Sequence, residues 1–355
     1  MVRTTLIGLL LATAAVVGSH AQTETLDIYF VDTEGGQATI LKPPSGDVFM
    51  IDAGFHGLDT PNPDKETGRD ARRIAAVAKA AGITGIGTLL VTHFHGDHAS
   101  GVSNMVDTVP VTLFLDHGPA VQGVPIMKQK VGEYSEYYAA AFAKGQHRVV
   151  TPGDSIAVRG LDVTVVQALG TPIDRPGTVN AHCTGLERRM DGTPEDSASV
   201  GVVVQFGRFR FANFGDLPWN QELQLLCPSN RVGTIDVLEA LRHANEPSPA
   251  VYGMAPRIVV YGNGARKGGG AATLKAYRGS PGLEDIWQRH KNVPGGVDGN
   301  PSDAFSANLQ DTDDTNHDPA HYIKVSARED GSFTVYNSRT NMTKAYSVRP
   351  TAATR

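Results

Sequence analysis

The hydrophobic positions near the start of the chain recur with a period of two, which is typical of half-buried β-strands. Apolar and polar residues alternate in LDIYFVD, and two further strand-like runs, ATILKPP and DVFMIDAG, flank a Pro-Ser-Gly turn. The spacing becomes helical over 70–81, in DARRIAAVAKAA, and Gly82 ends that helix. The apolar run IGTLLVTH then predicts a fourth strand.

Helical and strand-like patterns continue to alternate along the rest of the chain, without a strict βαβ repeat. The pattern predicts helices over 99–104, 132–145 and 283–290. It predicts strands over 111–117 and 257–264 and in the runs DSIAVRG, LDVTVVQAL, SVGVVVQFG and FRFANFGD. A C-terminal hairpin is predicted to turn at Asp330-Gly331. An irregular insert rich in Pro, Gly and Thr runs from Gly170 to about Asp196, and structureless loops of that length are usually functional or disordered. No linker interrupts the pattern, so we expect a single domain over 22–350, completed by the helix and hairpin of 272–348.

The N-terminal segment has the pattern of a secretory signal peptide. Arg3 precedes a short apolar run, and small residues stand at positions 19 and 21. We expect cleavage after Ala21 and a mature protein that is secreted or periplasmic, with no membrane anchor after cleavage. A retained N-terminal anchor is the alternative, but the run is short for a membrane span.

Charge and cysteine content narrow the function classes. The chain has a formal net charge of −5 and a pI near 6.2, and the charge becomes −6 once the predicted cleavage removes Arg3. This acidic balance argues against extended nucleic acid as a partner, because such binding depends on basic surface. The two cysteines, Cys183 and Cys227, either form a disulfide, as an oxidising compartment allows, or are small buried residues.

Four titratable side chains are crowded together in VTHFHGDHASG, at the end of the fourth predicted strand: His93, His95, Asp97 and His98. In an extended segment, imidazoles two residues apart point the same way, and the turn that follows can face the same cavity. Burial of these groups without a metal costs several kcal/mol each unless all are hydrogen-bonded. Imidazole and carboxylate are ligands for zinc and related divalent metals. The stretch therefore predicts a metal site.

THFHGDHASG resembles the T-H-x-H-x-D-H signature of the metallo-β-lactamase superfamily. The resemblance implies an α/β (α+β) fold, a four-layered αββα sandwich with a binuclear metal site along one edge of its two sheets. FRFANFGDL is similar to the strand that ends in the family's metal-bridging aspartate, here Asp216. DVLEALRHAN is similar to the segment that supplies the last histidine, here His243. Without a metal, Asp216 would cap the following helix and His243 would be a helix C-terminal cation.

The two ends of the mature chain resemble one branch of that superfamily, the hydrolase domains attached to the DNA-uptake channel proteins of competence systems. The similarity lies in LDIYFVDTEGGQATILKPPSGDVFMIDAG and in the hairpin IKVSAREDGSFTVYN, and it implies a free-standing relative. Three positions depart from the branch. Gln37 stands where its turn ends in aspartate, Arg242-His243-Ala244-Asn245 replaces its H-H-G-S, and Asp196-Ser197-Ala198-Ser199 lies near its Asn/Ser pair.

The resemblance leaves the third ligand of the first metal open. His182 in the insert is the first candidate, and His117 and His147 are the others. His117 ends a predicted strand beside the expected site, so it is also a candidate for substrate contact. Asp52, in the IDAG strand end, is expected to orient the metal loop from behind the ligands.

Two divalent metal ions, with zinc first and manganese or iron as alternatives, would lower the pKa of a shared water and polarise the substrate. Asp97 would orient the nucleophile. The sequence therefore predicts a secreted binuclear metal-dependent hydrolase for a small-molecule or phosphoester substrate, with a phosphodiester or related ester favoured. A β-lactam or lactone hydrolase and a non-catalytic binding module that retains the fold are the alternatives.

Overall fold

The computed structural model describes residues 24–56, 68–121, 138–139, 141–311 and 320–350. The predicted signal peptide and most of the predicted helix over 132–145 lie outside these residues. Within the described ranges, no helix is long and apolar enough to cross a membrane.

The strands follow the order of the sequence pattern, with several short additions. They are β1 (Leu26–Val31), β2 (Thr39–Lys42), β3 (Phe49–Ile51), β4 (Ile86–Leu90), β5 (Val111–Asp116), β6 (Gln146–Val149), β7 (Ser155–Val158), β8 (Leu161–Ala168), β9 (Thr171–Pro172), β10 (Thr178–Val179), β11 (Gly201–Phe206), β12 (Phe209–Asn213), β13 (Ser229–Asn230), β14 (Val237–Glu239), β15 (Ile258–Tyr261), β16 (Asp285–His290), β17 (Ser306–Asn308), β18 (Tyr322–Ala327), β19 (Phe333–Asn337) and β20 (Met342–Tyr346). The α-helices with both ends in the described ranges are α1 (Arg69–Ala80), α2 (Val102–Met105), α3 (Pro194–Ala198), α4 (Trp219–Leu226) and α5 (Ala271–Arg278).

Two nine-stranded sheets contain nearly all of these strands. The first has the order β20-β19-β18-β1-β2-β3-β4-β5-β6, and the second has the order β17-β16-β15-β14-β12-β11-β8-β7 with β9 beside β8. The C-terminal hairpin joins the first sheet by pairing β18 antiparallel with β1, as expected of a segment that completes the sandwich. In each sheet a block of parallel strands, β3 to β6 and β12 to β17, directs its carboxyl ends to one edge.

Three buried apolar layers explain why the two sheets stack. The first lies between the sheets, where Phe30 of β1 meets Phe211 of β12 with ring centroids 5.8 Å apart. The second lies between the first sheet and α1, which inserts Ile74 and Val77. The third lies between the second sheet and the helices α4 and α5. This arrangement of helices, two sheets and helices confirms the predicted four-layered αββα sandwich.

The predicted helix over 283–290 is wrong, because Asp285–His290 form β16. The strand runs parallel to β15, and every residue after Asp285 is buried. A strand covered on both faces has no alternation of polar and apolar positions, so periodicity alone does not distinguish it from a short buried helix. The short helix predicted at 99–104 divides into a π-helical turn, Gly96–Ser100, and α2.

A buried ion pair ties the two sheets together near the edge where the parallel strands end. Glu239, the last residue of β14, is paired with Arg289 of β16 and accepts hydrogen bonds from Thr39 of the first sheet and Asn213 of β12. Arg289 is fully buried, and burial lowers its pKa to about 10. Such a pair contributes little net stability but fixes which strand ends lie together, and these strand ends carry the histidine and carboxylate side chains described next.

Candidate metal centre

Most of the predicted ligands converge on the edge where parallel strands of both sheets end. β4 leads into the loop of His93, His95, Asp97 and His98, β12 leads to Asp216, and β14 leads to His243. Their donor atoms fall into two adjoining sets, which we call the inner set (Asp97, His98, Asp216, His243) and the outer set (His93, His95, Asp196). The two sets adjoin through the imidazoles of His93 and His98, whose ring centroids are 4.1 Å apart.

The inner set is buried and tightly spaced. Nε2 of His98 lies 3.1 Å from Nε2 of His243, 3.4 Å from Oδ2 of Asp97 and 3.3 Å from Oδ1 of Asp216. Nε2 of His243 lies 2.7 Å from Oδ2 of Asp97 and 3.2 Å from Oδ2 of Asp216. Donors placed 2.0–2.2 Å from a tetrahedral zinc are about 3.3 Å apart, so these spacings suit one small divalent cation.

Hydrogen bonds on the far side of each imidazole determine which nitrogen faces this cluster. Nδ1 of His98 lies 2.7 Å from Oδ2 of Asp52, and because this carboxylate oxygen accepts, Nδ1 is the donor. Nδ1 of His243 donates in the same way to the carbonyl of Gly262, 3.1 Å away. When the imidazoles of His98 and His243 are neutral, the Nε2 lone pair of each ring therefore faces the other ring and the carboxylates of Asp97 and Asp216. Metal-binding histidines are oriented in this way, so the arrangement suits a bound cation.

The pKa shifts describe how the metal-free inner set balances its charge. Burial opposes ionisation of the Asp216 carboxyl, but His243 and His98 beside it hold its pKa well below the usual range. Burial likewise lowers the pKa of His98, but the carboxylates of Asp216, Asp97 and Asp52 raise it well above its ordinary value. The metal-free set thus holds protons on imidazole, which a bound metal would displace.

The outer set is more open and combines two imidazoles with a carboxylate. Nδ1 of His95 lies 3.0 Å from both Nε2 of His93 and Oδ1 of Asp196, and His93 lies 3.6 Å from the same oxygen. Nδ1 of His93 donates to the hydroxyl of Thr92, which in turn donates to Asp52. Asp52 therefore contacts His98 of the inner set directly and His93 of the outer set through Thr92.

Asp196 takes the position for which His182 was the first candidate. Thr193 and Asp196 cap α3 reciprocally, since the backbone N–H of Thr193 donates to Oδ2 of Asp196 at 2.7 Å and leaves Oδ1 directed at His95. His182 lies elsewhere, edge-on to the Tyr252 ring at a centroid distance of 5.6 Å. The sequence signal for Asp196 was a T-x-x-D capping pattern immediately before β11, within a segment interpreted as irregular.

The other two candidates for the third ligand have structural partners. Nε2 of His117 lies 2.9 Å from Oε1 of the fully buried Glu195, and Nε2 of His147 lies 2.6 Å from Oδ2 of Asp116. Glu195 also accepts hydrogen bonds from the backbone N–H groups of Phe94 and Val121. His117 thus contacts the metal loop through the Phe94 ring, with centroids 4.7 Å apart, and through Glu195, which clamps the backbone between the two outer-set histidines.

A further buried group of donors, Asp32, Glu34 and His290, is engaged in protein contacts. Nδ1 of His290 lies 3.0 Å from Oδ2 of Asp32, and Glu34 is ion-paired with Arg69 and Arg73 of α1. We interpret this group as an ion-pair network that fixes α1 against β1.

His243 reaches the inner set because the chain turns through a left-handed conformation. Arg242, His243 and Ala244 have φ values of 49°, 55° and 62°, a conformation that side-chain-bearing residues rarely adopt. The guanidinium of Arg242 points away and pairs with Asp191 at 2.8 Å. The RHAN sequence therefore places its histidine in the inner set although it departs from H-H-G-S.

Gln37, the other departure, acts through its backbone. Its N–H donates to the carbonyl of Asp97, and its carbonyl accepts from Gly54, both at 2.9 Å. The turn after β1 therefore supports the metal loop without a carboxylate at this position.

A disulfide between Cys183 and Cys227 joins the insert to the end of α4. The insert also contacts the start of α4, where the indole of Trp219 donates to the carbonyl of Glu187 and the Arg189 guanidinium stacks on the Trp219 ring. Because α4 follows Asp216 directly, these contacts hold the segment that carries Asp196 beside the inner set.

A lysine closes the open side of the site. Residues 262–270, which we call the glycine loop, place Nζ of Lys267 against Oδ2 of Asp97. This cation and the neighbouring His98 and His243 hold the pKa of Asp97 well below its usual range, although burial opposes ionisation. The lysine side chain is 44% exposed, whereas that of Asp97 is 11% exposed. The lysine side chain is thus more exposed than the carboxylate with which it pairs.

A known protein family matches part of the chain. Residues 31–185 match the family model of the metallo-beta-lactamase superfamily. The sequence has no match among the curated proteins.

Similar solved structures include the metallo-beta-lactamase fold protein YhfI from Bacillus subtilis, with a TM-score of 0.45, 8% identity and coverage of 74% of this chain and 96% of that one. The metallo-beta-lactamase SMB-1 has a TM-score of 0.38 and 18% identity, and the match covers 64% of this chain and 79% of that one. CmlA, a diiron beta-hydroxylase from Streptomyces venezuelae, has a TM-score of 0.36 and 14% identity, and the match covers 68% of this chain and 45% of that one. The chain is therefore similar to the metallo-beta-lactamase superfamily over residues 31–185, the part that carries the H-x-H-x-D-H side chains.

Proposed function

We propose that this protein is a secreted metal-dependent hydrolase that cleaves a phosphodiester or a related ester. The observation that supports this most directly is the pair of adjoining donor sets, seven histidine and aspartate side chains at one sheet edge. Each set suits a divalent cation, and the wider superfamily consists largely of metal-dependent hydrolases.

The donor chemistry favours zinc, with manganese or iron as alternatives. All seven side chains offer imidazole nitrogen or carboxylate oxygen, a mixture that suits zinc, iron and manganese and excludes a thiolate site. Bound there, two metal ions would lower the pKa of a water molecule and polarise the substrate.

The residues of the chain supply position and charge for that reaction. His93, His98 and His243 are buried, so the substrate approaches from the side of His95, whose side chain is 18% exposed. The carboxylate of Asp97 is placed to accept a hydrogen bond from the attacking water and so to orient it. Exclusion of solvent around the buried imidazoles strengthens each of these electrostatic interactions.

A phosphodiester is the favoured substrate because the opening strands and closing hairpin resemble the competence-associated hydrolase branch. The acidic net charge favours a small phosphoester over a long polynucleotide. β-Lactam or lactone hydrolysis and non-catalytic binding are the competing outcomes of the test.

The test is metal analysis of the purified protein followed by a substrate panel. We expect one to two zinc, manganese or iron ions per chain and turnover of bis-(4-nitrophenyl) phosphate, which His95→Ala combined with Asp97→Ala abolishes while the circular dichroism spectrum stays the same. Hydrolysis of a chromogenic cephalosporin or a lactone without phosphodiester cleavage would replace the proposed substrate. A folded protein that is inert with every added metal would contradict the enzymatic function.

Secretion is proposed from the N-terminal pattern, and the disulfide supports it because such bonds persist in oxidising compartments. Expression of the full chain with a C-terminal tag, followed by fractionation, tests it. We expect the periplasmic or extracellular product to begin after Ala21. A full-length product in the cytoplasm would contradict this proposal without affecting the chemistry.

A further inference from the structure

We propose that Lys267 binds an oxyanion of the substrate, so that the site selects molecules with a negative charge beside the bond that is cleaved. The inference rests on the proposed hydrolytic function and specifies its substrate class. It concerns a loop with no counterpart in the H-x-H-x-D-H signature.

The glycine loop is built into the metal site at both ends. Its first carbonyl, that of Gly262, orients the ligand His243. Near its other end, Gly268 lies so close to the carbonyl of His243 that a Cβ atom at this position would clash with it, and the N–H of Gly269 donates to the carbonyl of Ala244 at 2.9 Å. Gly268, Gly269 and Gly270 all have positive φ, which residues with side chains rarely adopt. The loop path is therefore determined by the ligand segment itself.

Lys267 is held within that loop rather than free on the surface. The N–H of Gly264 donates to its carbonyl at 2.8 Å, and its aliphatic stem packs on Gly35, where a Cβ would lie only 3.0 Å from Cδ. Its ammonium lies 5.5 Å from the centroid of the Phe55 ring. A lysine fixed in this way loses less side-chain entropy when it binds an anion.

The charges around the ammonium favour an anionic partner. Asp97 is the only carboxylate that the described contacts place against Nζ, and Asp97 is also a ligand of the inner set. A metal ion on Asp97 would compete with Lys267 for that carboxylate, and nearly half of the lysine side chain faces solvent. A lysine at such a position gives a charge-assisted hydrogen bond to a phosphate or carboxylate oxygen.

The alternative is that Lys267 serves only as a counter-ion for Asp97. That role would affect metal affinity and would leave anion binding at saturating metal unchanged. The two roles are therefore separable by measurement.

The experiment compares the parent, Lys267→Gln, Lys267→Arg and, as a matched control, Arg266→Gln, which removes a cation one residue away that pairs with Asp311. Metal affinity is measured first, and every later measurement uses saturating metal. Inorganic phosphate is titrated calorimetrically into each protein. KM is then compared for bis-(4-nitrophenyl) phosphate, for a cephalosporin carboxylate and for the neutral 4-nitrophenyl acetate.

We expect Lys267→Gln to weaken phosphate binding about tenfold and to raise KM for the anionic substrate by a similar factor, in line with loss of one charged hydrogen bond. KM for the neutral ester should change less than about twofold, Lys267→Arg should restore most of the loss, and Arg266→Gln should behave as the parent. A larger effect on the cephalosporin than on the phosphodiester identifies the oxyanion as a carboxylate.

Unchanged phosphate affinity in Lys267→Gln, or an equal loss in Arg266→Gln, would overturn the inference. A change confined to metal affinity would do the same. Failure of the proposed function is separate: if the parent cleaves no phosphodiester, the phosphate titration still decides the role of Lys267.

Discussion

The inner and outer donor sets adjoin each other but are built differently. The inner set consists of buried side chains in the segments that follow β4, β12 and β14, and Asp52 and Gly262 fix its imidazoles. The outer set depends on Asp196, which the insert delivers, and His95 is 18% exposed. Ligands at the ends of sheet strands are positioned by the whole core, whereas a ligand from a loop is positioned by that loop's own contacts. We therefore expect the inner set to bind its metal more tightly.

The largest expected effect follows from removing the charge of Asp216. Asp216→Asn leaves Nε2 of His98 and of His243 facing each other with one carboxylate fewer. We expect metal content to fall by one ion per chain and turnover to fall more than about 1,000-fold, which corresponds to about 4 kcal/mol. Metal analysis and steady-state kinetics measure both, and Asp330→Asn at the exposed hairpin turn is the control. Full metal content in Asp216→Asn would show that the inner set does not need this carboxylate.

The outer set is tested by a matched pair of variants, Asp196→Ala and His182→Ala. We expect Asp196→Ala to weaken binding of one metal ion about 100-fold without affecting the other. His182→Ala should leave both affinities unchanged, since His182 contacts Tyr252 rather than the donor sets. Competition titration with a chromogenic chelator resolves the two ions. The opposite result would restore His182 as the third ligand.

The same difference between strand ends and loops explains what the sequence could predict. The inner-set residues lie in segments that follow strongly apolar strands. The strands could therefore be predicted from their hydrophobic pattern, and the candidate residues from the motif and the resemblance. Asp196 lies on a five-residue helix within a segment without periodicity, and its orientation depends on long-range contacts of the insert. The position of Lys267 could not be predicted from the sequence, because its approach to Asp97 depends on the left-handed turn at Arg242–Ala244. β16 was mistaken for a helix because burial on both faces removes the period of two.

Helix α4 links the two sets, because it follows Asp216 and carries the docking site of the insert. Its buried Glu222 should make the free energy of unfolding depend on pH. Burial raises the pKa of Glu222 to about 7, although the backbone N–H of Ser248 donates to it. The folded state therefore holds a proton that the unfolded chain, with a pKa near 4.5, has released. Stability should be highest below that value and fall as pH rises toward 7.

Between pH of about 5.5 and 7, this group should account for about 2 kcal/mol of lost stability, and Glu222→Gln should remove that part of the slope. Urea unfolding of the metal-free parent and of metal-free Glu222→Gln at both pH values measures this loss. The parent is the reference, because the histidines of the two donor sets titrate in both proteins. Equal slopes in parent and variant would show that Glu222 is not protonated in the folded state.

The smallest expected effect compares the carboxylates that support the two sets from behind. Asp52→Asn disturbs the hydrogen bonds to His98 and Thr92, and Glu195→Gln disturbs the clamp on the Phe94 backbone. Loss of such supporting contacts typically weakens metal binding about 10-fold to 100-fold. We expect Asp52→Asn to weaken both ions, because the Thr92 hydroxyl connects Asp52 to His93 as well as to His98. Glu195→Gln should weaken only the outer ion, about tenfold, because its contacts reach the loop between His93 and His95 and no inner-set ligand. If Glu195→Gln weakened both ions equally, the two sets would behave as one coupled site rather than as two sites of different construction.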